Sequence, residues 1–229
     1  MKTDPRLAVL HGLKLTGRAL PDGLAERSGI GVAQIEAALS ELADAGLVER
    51  RDGCLSGWSL SGSGRRAHVA ALEAERAAGH TGEQLRRAYV TFLGPNAEFK
   101  ALCTAWQLRP VGQRLIPNDH RDRAYDAALI DQLSALHDEL VAIIVPLAET
   151  IDRFATYRPR FAAAMTSLRG GDLDALTRPL SGSYHDVWME LHQDLLDSLG
   201  LARSDADGRS RPPSERPLGG ELQGDPPPP

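Results

Sequence analysis

The final predicted helix carries the side chains best suited to chemistry, and metal binding is the first possibility to consider. His185, Glu190 and His192 fall within eight residues, and imidazole and carboxylate groups are common zinc ligands. On a helix, however, residues i and i+7 are two turns, or ~10.5 Å, apart. That separation is too long for both histidines to reach one zinc ion in ordinary geometry. His120 or His137 could complete a site with one of them, but nothing in the spacing requires it, so we predict no metal site.

The same segment also has the mixed aromatic and polar face that lines many small-molecule sites. Tyr184 and Trp188 lie on one stripe of the predicted helix, and His185 and His192 lie on an adjoining stripe. Such a face suits a pocket with aromatic walls and a few oriented polar groups. It equally suits an ordinary core in which tyrosine and histidine tips reach backbone partners. Both interpretations stay open.

Residues from two earlier segments could complete such a pocket. Trp106 and Arg109 end one predicted helix, and Asn118 and His120 precede a long one. An arginine beside histidines would favour a carboxylate or phosphate, so the predicted effector is a small anion. The residues predicted to bind it are Trp106, Arg109, His120, Tyr184, His185, Trp188 and His192.

Signatures of catalysis are missing from the sequence. It contains no GxSxG, no P-loop and no GxGxxG after a strand. Asp172 and Asp174 lie in a Gly-rich turn, where capping accounts for them. Cys54 and Cys103 form neither a disulfide framework nor a CxxC pair. We therefore expect no enzyme and no cofactor. Cys54 could be a redox switch or a passive surface thiol, and Cys103 is expected to be a small core residue.

The overall composition is that of an ordinary globular protein. The chain has 229 residues, 42% of them hydrophobic, and a formal net charge of −5. The longest apolar run, 140–148, is interrupted by Pro146 and falls short of the ~20 residues that span a membrane. The N-terminus has no secretory apolar core. We expect a cytoplasmic protein with no membrane association.

The stretch 24–60 organises the first third of the chain. Ile35, Leu39 and Leu42 recur at i, i+4 and i+7, which is the buried stripe of an amphipathic helix. Gly46 suits a left-handed helix end. A short strand, a polar turn and a return strand are predicted to follow.

This order of two short helices and a two-stranded wing resembles the winged helix-turn-helix of bacterial transcription regulators. The run ELADAGLVER followed by WSLSGSGRR is closest to the MarR-like branch, where it passes from the recognition helix through the wing into the next helix. The resemblance covers about the first third of the chain. It implies a homodimeric repressor or activator that binds double-stranded DNA with an affinity set by a small ligand.

Two groups of residues would contact DNA if the resemblance holds. The outer face of the third helix would enter the major groove, where glutamine can read adenine, serine can meet bases or phosphate, and glutamate needs a cytosine amino group. Arginines at the turn, the wing and the following helix would hold phosphates. The predicted DNA-binding residues are Gln34, Glu36, Ala37, Ser40, Arg27, Arg50, Arg51, Arg65 and Arg66.

The charge balance of this region argues in the other direction. Residues 1–76 contain ten lysines and arginines against ten acidic residues, whereas DNA-binding domains usually have a positive face. The alternative is a winged-helix module that binds a protein partner without sequence-specific DNA binding. A weaker third possibility is a metal-responsive regulator.

The remaining sequence predicts a helical bundle and a tail. No strand pattern is visible after Leu60. A helix break is predicted at Gly94–Pro95, and Pro146 is expected to kink or break the long helix. Asn96 is expected to cap the helix after the first break, and Ser63 could cap the connecting helix. The last helix is predicted to begin after Ser183 and to end at Gly200. Trp58 is expected to pack under the wing, and 111–118 is predicted to be a loop. The predicted architecture is mainly α, a winged helix of three helices and a two-stranded wing followed by an all-α bundle. Its domains are 1–78 with the connecting helix, 79–202 for sensing or dimerisation, and a Pro-rich tail, 203–229, expected to be disordered.

Overall fold

We analysed a computed structural model that describes residues 2–53, 56–78 and 80–202. Cys54 and the predicted tail therefore lie outside the described residues. Within them the protein is mainly helical, with two small two-stranded sheets.

The first unit is built from three helices and a hairpin. The helices are α1 (Pro5–Thr16), α2 (Pro21–Ser28) and α3 (Val32–Asp44), and the hairpin joins β1 (Val48–Arg51) to β2 (Gly57–Leu60) in antiparallel register. Proline opens both α1 and α2, where its missing N–H costs no helical hydrogen bond. The predicted left-handed end at Gly46 is confirmed by its φ of 68°.

A single hydrophobic core holds this unit together. The stripe predicted for α3, Ile35, Leu39 and Leu42, is fully buried and packs with Val9 and Leu24 of the two preceding helices. The packing leaves the opposite face of α3 exposed.

Helix α4 (Gly62–Ala77) leads from the hairpin into the second unit. Its N-cap is Ser61, whose hydroxyl accepts from the amide of Gly64, so the expectation that Ser63 caps the helix is wrong. A Cβ at Gly64 would overlap the carbonyl oxygen of Leu47. Only glycine therefore allows the first turn of α4 to lie against the start of the hairpin.

The second unit has its own, larger core. Its elements are α5 (Thr81–Gln107), β3 (Leu108–Val111), β4 (Arg114–Pro117), α6 (Arg123–Thr150), a 3-10 turn (Asp152–Thr156), α7 (Tyr157–Arg169), α8 (Asp174–Thr177) and α9 (Tyr184–Leu199). Long helices α5 and α6 pack along each other, and α9 lies against both α5 and α7. The predicted caps of α9 are confirmed, with Ser183 at its start and left-handed Gly200 at its end.

The predicted helix break at Gly94–Pro95 is wrong, and of the two alternatives for Pro146 the break is excluded. Helix α5 continues through Gly94 and Pro95, and α6 continues past Pro146 to Thr150. A proline inside a helix costs about 3 kcal/mol. In α5 the buried side chains Phe92 and Phe99 on either side of Pro95 offset that cost by packing into the core. Asn96 is not a cap, because its side chain accepts a hydrogen bond from Trp188.

The all-α description of the second unit also needs correction. Strands β3 and β4 pair in antiparallel register around Gly112, which has a φ of 61°. Prolines within both strands, Pro110 and Pro117, made this segment read as a loop. A two-stranded ribbon tolerates them because its outer edges need no backbone donor.

Buried charges lie where the two units meet. The guanidinium of Arg153 contacts both carboxylate oxygens of Glu75 at 2.6 Å and Asp194 at 3.5 Å. His11 of α1 reaches Asp194, and its other ring nitrogen lies 2.9 Å from His68 of α4. We refer to His11, His68, Glu75, Arg153 and Asp194 as the buried charged cluster.

Candidate nucleic-acid interface and ligand cleft

The outer face of α3 is free of contacts with the second unit's core. Gln34, Glu36, Ala37 and Ser40 are all exposed, as the sequence predicted. Gly31 begins the helix without a side-chain cap, so the first amides of α3 are not satisfied by a capping side chain. This end of α3 could meet an oxygen-rich surface such as a phosphate backbone.

The charge on that face is acidic. Glu36 and Glu41 are exposed on α3, and Asp44 is exposed at its end. Arg6 of α1 approaches Glu41 at 3.9 Å, and both side chains are well exposed. An exposed pair of this kind contributes little stability. The helix therefore offers hydrogen-bonding groups rather than attraction to phosphate.

Positive charge is placed on the hairpin instead. Arg50 and Arg51 are exposed at the end of β1, opposite Trp58 and Gly57 respectively. Since successive side chains of a strand point to opposite faces, one arginine lies on each face of the hairpin. Arg50 also pairs with exposed Asp52 at 3.3 Å. Trp58 is half-buried against the first core, which agrees with the packing role expected for it.

The arginines of α4 are exposed in its first turns. Arg65 donates to the carbonyl of Leu60 at 3.0 Å, and Arg66 donates to that of Gly62 at 3.2 Å. These contacts anchor the side chains near the hairpin while leaving further N–H groups for a ligand.

Arg27 lies in the last turn of α2, beside the turn as predicted, but its side chain is directed away from the hairpin. It lies between α2 and α9, where its Nε contacts Glu190 at 3.3 Å. Arg160 of α7 binds the same carboxylate through two 2.7 Å contacts. Arg27 therefore links α2 to the second unit and is not part of the hairpin's arginine group.

The predicted ligand residues divide into two groups. Trp106 is buried, and its ring is tilted by 43° against that of His120 with the ring centroids 4.6 Å apart. Arg109 pairs with Asp119 and Asp122. The contacts of this group join the end of α5 to the segment that follows the β3–β4 hairpin.

The other group belongs to the core. Trp188 is fully buried, stacks on Phe99 at 4.2 Å and donates to Asn96 at 3.0 Å. Tyr184 is also fully buried, and burial raises the pKa of its hydroxyl well above its usual range. His192 is buried between Tyr89 and Phe92. Of the two interpretations left open, the packed core describes these three residues.

His185, one of the predicted ligand residues, lines an open cleft. This cleft of about 840 Å³ separates α1 and α2 from α9, and its walls include Arg27, Arg160, Met189 and Leu180. Leu180 is fully exposed and has a φ of 57°, which is unusual for a residue with a branched side chain. The cleft combines cations and apolar walls with the carboxylates of Asp22, Asp186 and Glu190, in a volume typical of small-molecule sites.

Cys103 is poorly suited to redox chemistry. It is half-buried against the second core, and burial raises the pKa of its thiol to about 12. The neutral thiol is a weak nucleophile, so the expected packing role fits this cysteine. Among the described residues there is no group of three or more side chains able to hold a metal ion.

The sequence offered no signal for the buried charged cluster. Its members come from α1, α4, α9 and the 3-10 turn, and only the fold brings them together. Comparison with known proteins gives no further guide: no family model, curated protein or solved structure matches this chain. No helix in the described part of the chain is long and apolar enough to cross a membrane.

Proposed function

We propose that this protein is a DNA-binding transcription regulator whose first unit is a winged helix. The order of α1, α2, α3 and a hairpin supports this assignment. So does the connection between α1 and α2, where Ala19 exchanges backbone hydrogen bonds of 3.1 and 2.8 Å with Trp58. This pairing is an isolated β-bridge that ties the connection between α1 and α2 to the hairpin.

The observation that carries the proposal is the exposed outer face of α3 beside an arginine-bearing hairpin. In the proposed complex α3 enters the major groove, with Gln34 and Ser40 as the readers of base edges. Arg50 and Arg51 contact the phosphate backbone and set the register of α3 on the duplex. Ala37 lies between the readers and leaves room for close approach.

Electrostatics would make a single unit a weak binder. The carboxylates of Glu36 and Glu41 face the same side as the proposed readers, and they repel phosphate unless paired with cytosine amino groups. A homodimer would double the number of arginine contacts and require two half-sites about 34 Å apart. We therefore propose a dimeric regulator that acts in the cytoplasm. Its selectivity for DNA sequence would arise partly because the α3 carboxylates repel DNA that offers them no cytosine amino group.

The cleft between α2 and α9 is the proposed place for the effector. Arg27 and Arg160 already hold one carboxylate, that of Glu190. A small anion with an apolar body could compete for these guanidinium groups while its body rests on Met189 and Leu180. Because α2 packs directly on α3, such a ligand would change DNA affinity by its differential affinity for two positions of α2.

A retardation assay with the upstream region of the protein's own gene tests the proposal. The full chain is titrated against that fragment and against an unrelated fragment of equal length, over a series of salt concentrations. We expect preferential retardation of the upstream fragment, weakening as salt increases. No retardation of either fragment at the lowest salt would overturn the proposal.

The acidic face of α3 favours one alternative, a module that binds a basic protein partner. Glu36, Glu41 and Asp44 lie on this face, and Arg6 is the cation in contact with it. In that case the protein would co-purify with a basic partner, and replacing Glu36 and Glu41 by glutamine would release it. On the DNA-binding proposal the same change strengthens binding to both fragments, because it removes repulsion.

A further inference from the structure

A groove on the side of the hairpin concentrates positive charge. It has a volume of about 400 Å³ and lies between the end of α1, the hairpin and the first turns of α4. Its lining includes four basic residues, Lys14, Arg18, Arg51 and Arg65, together with the hydroxyl of Ser59, and none of its lining residues is acidic. We refer to it as the basic groove.

The local backbone holds these cations together. Gly57 pairs with Arg51 and has a φ of 141°, a conformation that side-chain-bearing residues rarely adopt. A Cβ at Gly57 would lie 3.0 Å from both the Ala19 carbonyl and the Arg18 side chain. The glycine therefore allows Arg18 to lie directly against the hairpin beside Arg51.

The other two cations close the groove from the helices. Lys14 is in the last turn of α1, where a positive charge is favoured by the helix dipole. The single contact of Arg65 with the Leu60 carbonyl fixes its guanidinium at the mouth and leaves other N–H groups available. The result is a groove whose lining includes four basic residues and, among the described residues, no carboxylate.

We propose that the basic groove binds phosphates of the DNA backbone, as a second contact region beside α3. This inference rests on the proposed function. Arg50 lies on one face of the hairpin and Arg51 on the other, so a duplex reached by both would straddle the hairpin and enter the groove. The groove also bears on how a unit with balanced charge can bind DNA, since four of its basic residues are gathered in one place.

Contacts of this kind position the protein and carry no base information. Lys14 and Arg18 are therefore predicted to contribute equally on every sequence, in contrast to Gln34 and Ser40. Neither Lys14 nor Arg18 belongs to the segment that resembles a recognition helix and wing. Their role follows from the way α1 meets the hairpin.

The test compares the wild-type chain with a Lys14→Gln/Arg18→Gln double variant by fluorescence anisotropy over a salt series. The slope of log K against log salt is negative, and each lost phosphate contact makes it less steep by about 0.9. We therefore expect its magnitude to decrease by about 1.8. At 100 mM salt or so, the affinity should fall by at least about tenfold, equally on the upstream and unrelated fragments. An Arg86→Gln/Arg121→Gln variant, which removes two exposed cations from the second unit, is the matched control and should leave the slope unchanged.

A charge-retaining variant, Lys14→Arg/Arg18→Lys, guards against misfolding and should keep the wild-type slope. A slope for the glutamine variant equal to that of the control would overturn the inference while leaving the proposed function intact. Failure of the wild-type chain to bind either fragment would instead overturn the proposed function. The two failures are thus distinguishable.

Discussion

Nε2 of His11 lies 2.9 Å from Oδ1 of Asp194, which joins the first helix of the chain to the last. Asp194 also accepts hydrogen bonds from Tyr157 and Ser198, both at 2.9 Å. Although complete burial raises the pKa of the Asp194 carboxyl, His11, Arg153 and Ser198 together hold it far below its usual range. A buried carboxylate is tolerated only with such partners, so the two units are joined by charges that neither unit could bury alone.

Replacing Asp194 by asparagine should strongly destabilise the protein. The change leaves Arg153 with one fewer counter-charge in a buried site, and breaking a buried ion pair in this way costs about 3–5 kcal/mol. Urea denaturation measures the difference in the free energy of unfolding. Asp131→Asn, at an exposed position of α6, should change it by less than about 0.5 kcal/mol. A similarly small effect of Asp194→Asn would show that the cluster does not hold the units together.

Stability should fall as the pH decreases below 6.5. Burial, together with His11 and Lys14, lowers the pKa of His68 to about 3. The unfolded chain therefore takes up a proton near pH 6.5 while the folded chain does not, so the stabilising effect is complete above that pH. Between pH 6.5 and pH 4 the loss is on the order of 3 kcal/mol.

Denaturation at several pH values checks this expectation. A His68→Gln variant should lose this part of the pH dependence, whereas His80→Gln, at an exposed position, should retain it. Identical pH profiles for wild type and His68→Gln would contradict the assignment.

Removing both hairpin arginines should weaken DNA binding on every sequence. Arg50→Ala/Arg51→Ala deletes two proposed phosphate contacts. The magnitude of the negative slope of log K against log salt should therefore decrease by about 1.8. Gln34→Ala should instead affect the upstream fragment alone, because it removes a base contact. Anisotropy titrations separate the two patterns. An unchanged salt slope in the arginine variant would remove the hairpin from the proposed interface.

Truncating Trp188 should affect stability rather than ligand binding. Its indole is fully buried among Phe92, Phe99 and Phe161, and a buried aromatic replaced by alanine costs about 3–5 kcal/mol. His185→Ala, on the wall of the open cleft, should cost less than about 1 kcal/mol. Thermal and urea unfolding measure both. Equal effects of the two changes would contradict the placement of Trp188 in the core.

Neutralising Glu190 should make the cleft a better anion site. In Glu190→Gln the guanidinium groups of Arg27 and Arg160 lose their shared carboxylate, so an added anion no longer competes with it. Sodium benzoate, compared with sodium chloride at equal ionic strength, should raise the melting temperature more in this variant than in wild type. Glu139→Gln, exposed on α6, is the control. No difference between variant and wild type would argue against an anionic effector in this cleft.

Local patterns predicted the first unit well because its elements bury their apolar faces at short range. The stripe of Ile35, Leu39 and Leu42 needs only its neighbouring helices, and Gly46 ends α3 through its own backbone preference. The exposed positions of Gln34 and Ser40 follow directly from that periodicity.

Local patterns failed where distant contacts decide the structure. Pro95 is a helix breaker in isolation, but its helix is held on both sides by core residues, and Trp188 binds the adjacent Asn96. The β3–β4 hairpin was not predicted, because both of its short strands contain a proline, a residue that is typical of loops. The placement of Arg27 against Glu190 depends on how two units dock, which no spacing in the sequence encodes.

Helix α4 touches the hairpin at Gly64 and ends close to Glu75 in the buried charged cluster. Eleven residues of helix between them span ~16 Å, and the tight fit at Gly64 leaves no slack at the hairpin end. A change in the ionisation or pairing of the buried charged cluster would therefore tilt α4 as a rigid body and move the hairpin. The proposed DNA contacts of the hairpin and the docking of the two units would then respond to one another through α4.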